Sequence, residues 1–97
     1  KIVKIMMIGS SAYTQGRKNY ILYAASKSAL HNMFEGSSEL LAKSNIILGL
    51  IHPTRVDTKM LDGVVNDRSS CLSPKYIAEQ IKIFTETIKK SEYINLN

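Results

Sequence analysis

The chain has 97 residues, of which 44% are hydrophobic and 22% charged, with a formal net charge of +5 at pH 7. That length bounds it to one small domain with a modest core, and no apolar run approaches the ~18 residues of a membrane-spanning helix, so no membrane association is expected. The basic excess is scattered: Arg17–Lys18 and Lys89–Lys90 are the adjacent basic pairs, no aromatic residues interleave a basic stripe, and a nucleic-acid surface is not expected.

In chain order, KIVKIMMIG (Lys1–Gly9) is apolar and closes on glycine and serine, which predicts a buried strand. Ser10–Asn19 is polar with Gly16 inside it and predicts a loop. From Ile21 to Lys43 the pattern turns helical, with Ala25, Leu30, Met33, Phe34, Leu40 and Leu41 mostly at three- and four-residue spacing. Gly36 interrupts that helix at roughly 1 kcal/mol relative to alanine, which suggests a close packing contact. NIILGLI (Asn45–Ile51) predicts a second buried strand, and a loop containing Pro53 follows it. Residues Leu61–Leu72 have no clear period and predict a loop. Ser73 as N-cap with Pro74 at the first helical position opens a second helix, whose stripe is Ile77, Ile81, Phe84 and Ile88. Tyr93–Asn97 completes the chain as a short strand. Strand and helix alternate, which argues for right-handed, layered βαβ units and a parallel sheet.

Cys71 has no second cysteine to pair with, and His31 and His52 stand far apart and alone in the sequence, so neither a disulfide nor a metal site is expected. A reducing, cytoplasmic setting follows from the cysteine usage.

The chemistry-bearing stretch is GSSAYTQGRKNYILYAASKSAL (Gly9–Leu30). A bare Tyr-x-x-x-Lys match decides little, because a chain with five tyrosines and many lysines reaches it by chance about half the time. Three features add weight. Small residues separate Tyr23 from Lys27; Ser10 lies thirteen residues before Tyr23, at the end of the first predicted strand; and HPTRVDTKM follows the second strand. In a parallel sheet the carboxyl ends of the strands share one edge, and ligands bind in the crevice there.

In IGSSA, the serine–tyrosine spacing, YAASKSAL, IHPTRVDTKM and SPKYIAEQI, taken in that order, the chain resembles the C-terminal half of a short-chain dehydrogenase/reductase. The resemblance implies an α/β, three-layer Rossmann-like fold with a parallel sheet, of which residues 1–97 form only the C-terminal, catalytic portion. It implies an NAD(P)-dependent oxidoreductase that interconverts a carbonyl and an alcohol on a small-molecule substrate, with NAD or NADP as cofactor. Tyr23 would be the general acid/base. A free phenol ionises near ~10, too high for efficient proton transfer near neutrality, and Lys27, one helical turn on, would lower it with its positive charge. Ser10 would orient the reacting oxygen. Tyr23, Lys27, Pro53, Val56 and Thr58 match cofactor-contacting positions of the family. Thr54 stands where the family usually has glycine, Arg55 is a less usual neighbour, and residues 61–72 match a variable substrate-binding loop. Tyr13, Gln15 and Tyr20 are candidates either for the pocket or for loop packing.

No Gly-x-x-x-Gly-x-Gly turn for the cofactor's diphosphate occurs in the sequence. The resemblance therefore implies a missing N-terminal half, with which this chain would pair. A homo-oligomer built on the first helix is also implied, with Met33, Phe34, Leu40 and Leu41 as contact candidates. The rival expectation is a non-catalytic remnant or dimerisation module.

Overall fold

The computed structural model describes residues 1–54 and 71–97. The elements run β1 (Val3–Ile8), a 3-10 turn (Ser11–Thr14), α1 (Ile21–Leu40), β2 (Ile46–Pro53), α2 (Pro74–Thr87) and β3 (Glu92–Leu96). The three strands form one sheet in the order β1-β2-β3, and both pairings are parallel.

β2 is the middle strand and is buried from Leu48 to Pro53. Its near-continuous apolar run suits a parallel strand covered on both faces. Alternation sends Leu48, Leu50 and His52 to one face, where Phe34 and Leu30 of α1 pack beside Met7. Ile47 and Ile51 go to the other face, against Ile77, Phe84 and Ile88 of the α2 segment and Leu96 of β3. The result is three layers, helix on sheet on helix. Gly49 lets α2 approach, since a Cβ there would lie 2.4 Å from Met6 Cε and 3.0 Å from Phe84 Cε2.

This arrangement corrects one expectation. The two crossovers step across the sheet in the same direction, yet α1 and α2 lie on opposite faces, so they have opposite hands and cannot both be right-handed. The right-handed rule arises where a twisted strand feeds directly into a helix. β2 ends at Pro53 and α2 begins only at Pro74, so the second helix does not follow its strand directly.

Other expectations are also revised. The expectation that β1 is buried is not met: Val3, Ile5 and Ile8 each remain 44–45% exposed, because among the described residues β1 pairs on one side only, and the two helix-side clusters take up only its Met6 and Met7. Gly36 has nothing near its Cβ position, so no close packing contact explains it. On α1 the buried alanine is Ala24, not Ala25. Phe34 is buried and Leu41 packs on its cluster, while Met33 and Leu40 stay exposed. The core thus takes two of the four candidates for an oligomer contact.

α2 forms as its sequence signals require. Ser73 Oγ accepts the Tyr76 N–H at 3.0 Å, and Pro74 occupies the first turn, where its missing N–H has no helical partner to lose.

Candidate active site

The register Ile8↔Ile51 and Pro53↔Leu96 brings the carboxyl ends of all three strands to one edge. Ser10 leaves β1 at that edge in extended backbone conformation, with φ −165° and ψ 148°. It caps the 3-10 turn, its Oγ accepting the Ala12 N–H at 3.1 Å. Because that bond occupies a lone pair, the serine's own O–H remains free to donate to another group.

Tyr23 lies in the first turn of α1, with 39% of its surface exposed, and Tyr20 meets its ring edge-on at 6.4 Å between centroids. Lys27 follows one turn later. Its Nζ lies 5.5 Å from the Tyr23 ring centroid and donates to the carbonyl of Ile8 at 3.5 Å. The lysine therefore links the end of β1 to the tyrosine, two residues before Ser10. Among the described residues no hydrogen bond joins Ser10 to Tyr23 directly.

Pro53 is buried at the end of β2, beside Leu96 of β3. The Thr54 N–H donates to the Leu96 carbonyl at 2.9 Å, extending the sheet by one bond. Val56, Thr58, Arg55 and positions 61–70 of the expected substrate loop lie outside the described residues. Of the three loop aromatic and amide candidates, Tyr13 is taken up in packing, Gln15 is exposed, and Tyr20 contacts Tyr23.

The expectation that His31 and His52 stand alone is overturned. His31 Nδ1 and His52 Nε2 are 2.8 Å apart. Tyr13 stacks on both rings, with centroid distances of 4.4 Å to His31 and 3.8 Å to His52. Tyr93 of β3 packs edge-on against His31 at 4.7 Å. The other nitrogen of His52, Nδ1, accepts the backbone N–H of Ser10 at 3.1 Å. Burial, chiefly, and then the neighbouring His31 and more weakly Lys27, depress the His52 pKa from 6.5 to about 4. No sequence spacing announces this pair. The available signal was that His31 follows Lys27 by four residues and so shares its helix face, while His52 immediately precedes Pro53 at the strand end. Among the described residues no group of three or more metal-ligating side chains occurs, and no helix is long and apolar enough to cross a membrane.

A parallel sheet layered between helices, with a serine, a tyrosine–lysine helix pair and a buried proline at its carboxyl edge, defines an α/β protein of the Rossmann-like class. Residues 3–69 match the family model described as short chain dehydrogenase, and the chain belongs to that family, whose members are NAD(P)-dependent oxidoreductases.

An uncharacterized oxidoreductase of Staphylococcus saprophyticus is 30% identical over 93 residues, covering 96% of this chain and 38% of the relative. A bifunctional ribulose 5-phosphate reductase/CDP-ribitol pyrophosphorylase of Haemophilus influenzae is 37% identical over 51 residues, covering 53% of this chain and 11% of the relative. The chain therefore spans well under half the length of these curated relatives.

Among solved structures, a Serratia marcescens short-chain dehydrogenase/reductase double mutant superposes with a TM-score of 0.73 at 22% identity, covering 95% of this chain and 44% of that one. A Caenorhabditis elegans short-chain dehydrogenase/reductase of unknown function, solved with cofactor, gives 0.73 at 19% identity over the same shares. BdcA in complex with NADPH gives 0.71 at 20% identity, again covering 95% and 44%.

Proposed function

We propose that the protein carrying this chain interconverts a carbonyl and an alcohol on a small molecule with NAD or NADP, and that this chain supplies the acid/base half of the site. The observation that carries the reading is the placement of Lys27, whose ammonium joins the end of β1 to the Tyr23 ring beside Ser10.

The donor set fits the nicotinamide-ribose end of such a cofactor. An ammonium carries three N–H donors. The Ile8 carbonyl takes one, no other described residue accepts from the ammonium, and ribose hydroxyls at the same strand edge would accept from the other two. Pro53 at the end of β2 would flank that end, with Val56 and Thr58 assigned to the same role from the family motif. When bound, the nicotinamide ring supplies the hydride in reduction and takes it up in oxidation.

In the reducing direction the Tyr23 hydroxyl donates its proton to the substrate oxygen as the oxygen gains charge. In the oxidising direction it takes the proton back. Lys27 places its ammonium 5.5 Å from the Tyr23 ring centroid. The Ser10 hydroxyl, whose oxygen accepts from Ala12, donates its proton to a hydrogen bond with the same substrate oxygen and fixes its position. Contacts to the cofactor's diphosphate are assigned to the part of the family fold that this chain does not cover.

The test is a panel of aldehydes and ketones offered to the intact purified protein with NADH and with NADPH, monitoring loss of reduced cofactor. Turnover of at least one carbonyl is expected. No turnover across the panel, together with no binding of either cofactor, would favour a non-catalytic remnant.

A further inference from the structure

We propose that His52 is a positioning residue for Ser10, the inner member of a directed hydrogen-bond chain that runs from His31 through His52 to the serine's backbone. The proposal rests on the functional reading of Ser10 given above, and adds to it two histidines outside the serine–tyrosine–lysine set.

Each bond in the chain has only one allowed direction. A backbone N–H can only donate, so the His52 Nδ1 that receives the Ser10 N–H at 3.1 Å carries no proton. A neutral imidazole then carries its proton on Nε2. That nitrogen lies 2.8 Å from His31 Nδ1, which must accept. The proton of His31 is therefore on its Nε2, which lies 3.8 Å from Glu35 Oε1, one turn further along α1. A proton added to His52 Nδ1 would set a donor against the Ser10 N–H. A proton added to His31 Nδ1 would set a donor against His52 Nε2. The chain holds Ser10 only while both rings keep these tautomers.

The surroundings fix the rings as well as the protons. His52 is fully buried. Tyr13 covers the faces of both rings, and Tyr93 meets them edge-on from β3. The loop that carries Ser10 is tied to the same cluster, since the Tyr13 N–H donates to the Ser10 carbonyl at 3.1 Å and the Ser28 hydroxyl of α1 donates to the Tyr13 carbonyl at 2.6 Å. Gly9 admits the ring, because a Cβ there would lie 2.3 Å from His52 Nδ1. Among the described residues the titratable and charged groups facing His52 are thus His31 and Lys27 from α1, Tyr13 from the 3-10 turn and Tyr93 from β3, with the exposed Glu35 carboxylate 3.8 Å from His31 Nε2.

A group that acts on the reacting oxygen must be placed closely, since a misplacement of about 1 Å costs on the order of 100-fold in rate. Loss of the chain should therefore lower kcat more than it raises KM.

The test uses the intact protein. Long-range proton–nitrogen NMR of the histidine rings should find both His52 and His31 protonated on Nε2 alone at neutral pH. His52→Asn keeps an acceptor near the Nδ1 position, whereas His52→Leu keeps bulk without one. His52→Leu should lose kcat by on the order of 10- to 100-fold with KM little changed, and His52→Asn should recover most of it. Wild-type kcat should fall as acid protonates His52, and that limb should vanish in His52→Asn. A protonated Nδ1 on His52, or a wild-type kcat in His52→Leu, overturns the proposal. Wild-type turnover in Tyr23→Phe would overturn the functional reading instead, and the ring tautomers would still decide whether His52 holds Ser10.

Discussion

Ser10 and His52 stand 42 positions apart in the sequence, and the backbone N–H of the serine donates to Nδ1 of the buried histidine at 3.1 Å. One imidazole thereby ties the loop after β1 to the end of β2, at the edge where Tyr23 and Lys27 also arrive. Pinning this loop through its backbone leaves the Ser10 hydroxyl free for chemistry.

Gly9 is the residue that makes room for this contact. A methyl group there would meet His52 Nδ1 at 2.3 Å, Cε1 at 2.6 Å and Leu50 Cδ1 at 3.3 Å. The stacked Tyr13 limits how far the ring can retreat. Gly9→Ala should cost about 1–3 kcal/mol of stability, the usual range for overpacking, and should lower kcat. Urea unfolding and steady-state kinetics check this. An alanine variant as stable and as active as the parent would mean that the ring yields freely.

The His52 pKa gives a pH dependence with a definite sign. In the unfolded chain the ring titrates near 6.5, and in the folded protein near 4. Between those values the unfolded state binds the extra proton, so stability rises with pH. The contribution is complete above about 6.5 and is lost as pH falls toward and through about 4. Thermal melts of wild type and His52→Asn from pH 7 to pH 4 should converge as the pH drops, with carboxylate effects cancelling in the difference. A constant difference between the two would contradict the assignment.

Ser10 and Ser11 are adjacent but are expected to behave differently. Ser10 places its hydroxyl at the strand edge while capping the turn; Ser11 is exposed, and its carbonyl accepts from Thr14. Ser10→Ala should lower kcat by roughly 100- to 1,000-fold, the scale for losing one donor to a developing oxyanion, while Ser11→Ala should leave it nearly unchanged. Equal effects at the two positions would indicate loop damage and not loss of a specific donor.

Burial separates the central strand from the outer face of α1 in the same way. Leu50 is fully buried between the layers, whereas Leu40 is 84% exposed. Leu50→Ala should cost about 2–5 kcal/mol, and Leu40→Ala about 0.5 kcal/mol or less. Denaturant midpoints measure both. A large loss at Leu40 would show that another surface covers that position in the intact protein.

The element order and the parallel sheet were legible because strand and helix patterns alternate cleanly in β2 and α2. Ser73 and Pro74 mark the start of α2, and Ile77, Ile81, Phe84 and Ile88 trace its inward face. The inward face of α1 was harder to read, because it carries Lys27 and His31 among its apolar residues. Apolar periodicity therefore picks out Leu30 and Phe34 correctly, but takes Ala25 where the fold buries Ala24, and adds Met33, which stays exposed. The hand of the second crossover was not legible, since periodicity does not say which face a helix returns to. That Ser10 follows the first strand and that Tyr23 and Lys27 share the next helix was legible in the sequence, and their grouping as one proposed site came from the family resemblance. The His31–His52 pair could not, because it depends on a helix of one unit packing over the end of the next strand.

The most direct measurement of the functional reading is the turnover of Tyr23→Phe in the intact protein, on a carbonyl that the wild type reduces. The variant keeps the ring beside Lys27 and Tyr20 but removes the proton. A loss of kcat by roughly 100- to 10,000-fold, the range for a general acid/base, with cofactor binding retained, is the predicted result. A kcat within a few-fold of wild type would contradict the assignment of Tyr23 as the group that moves the proton.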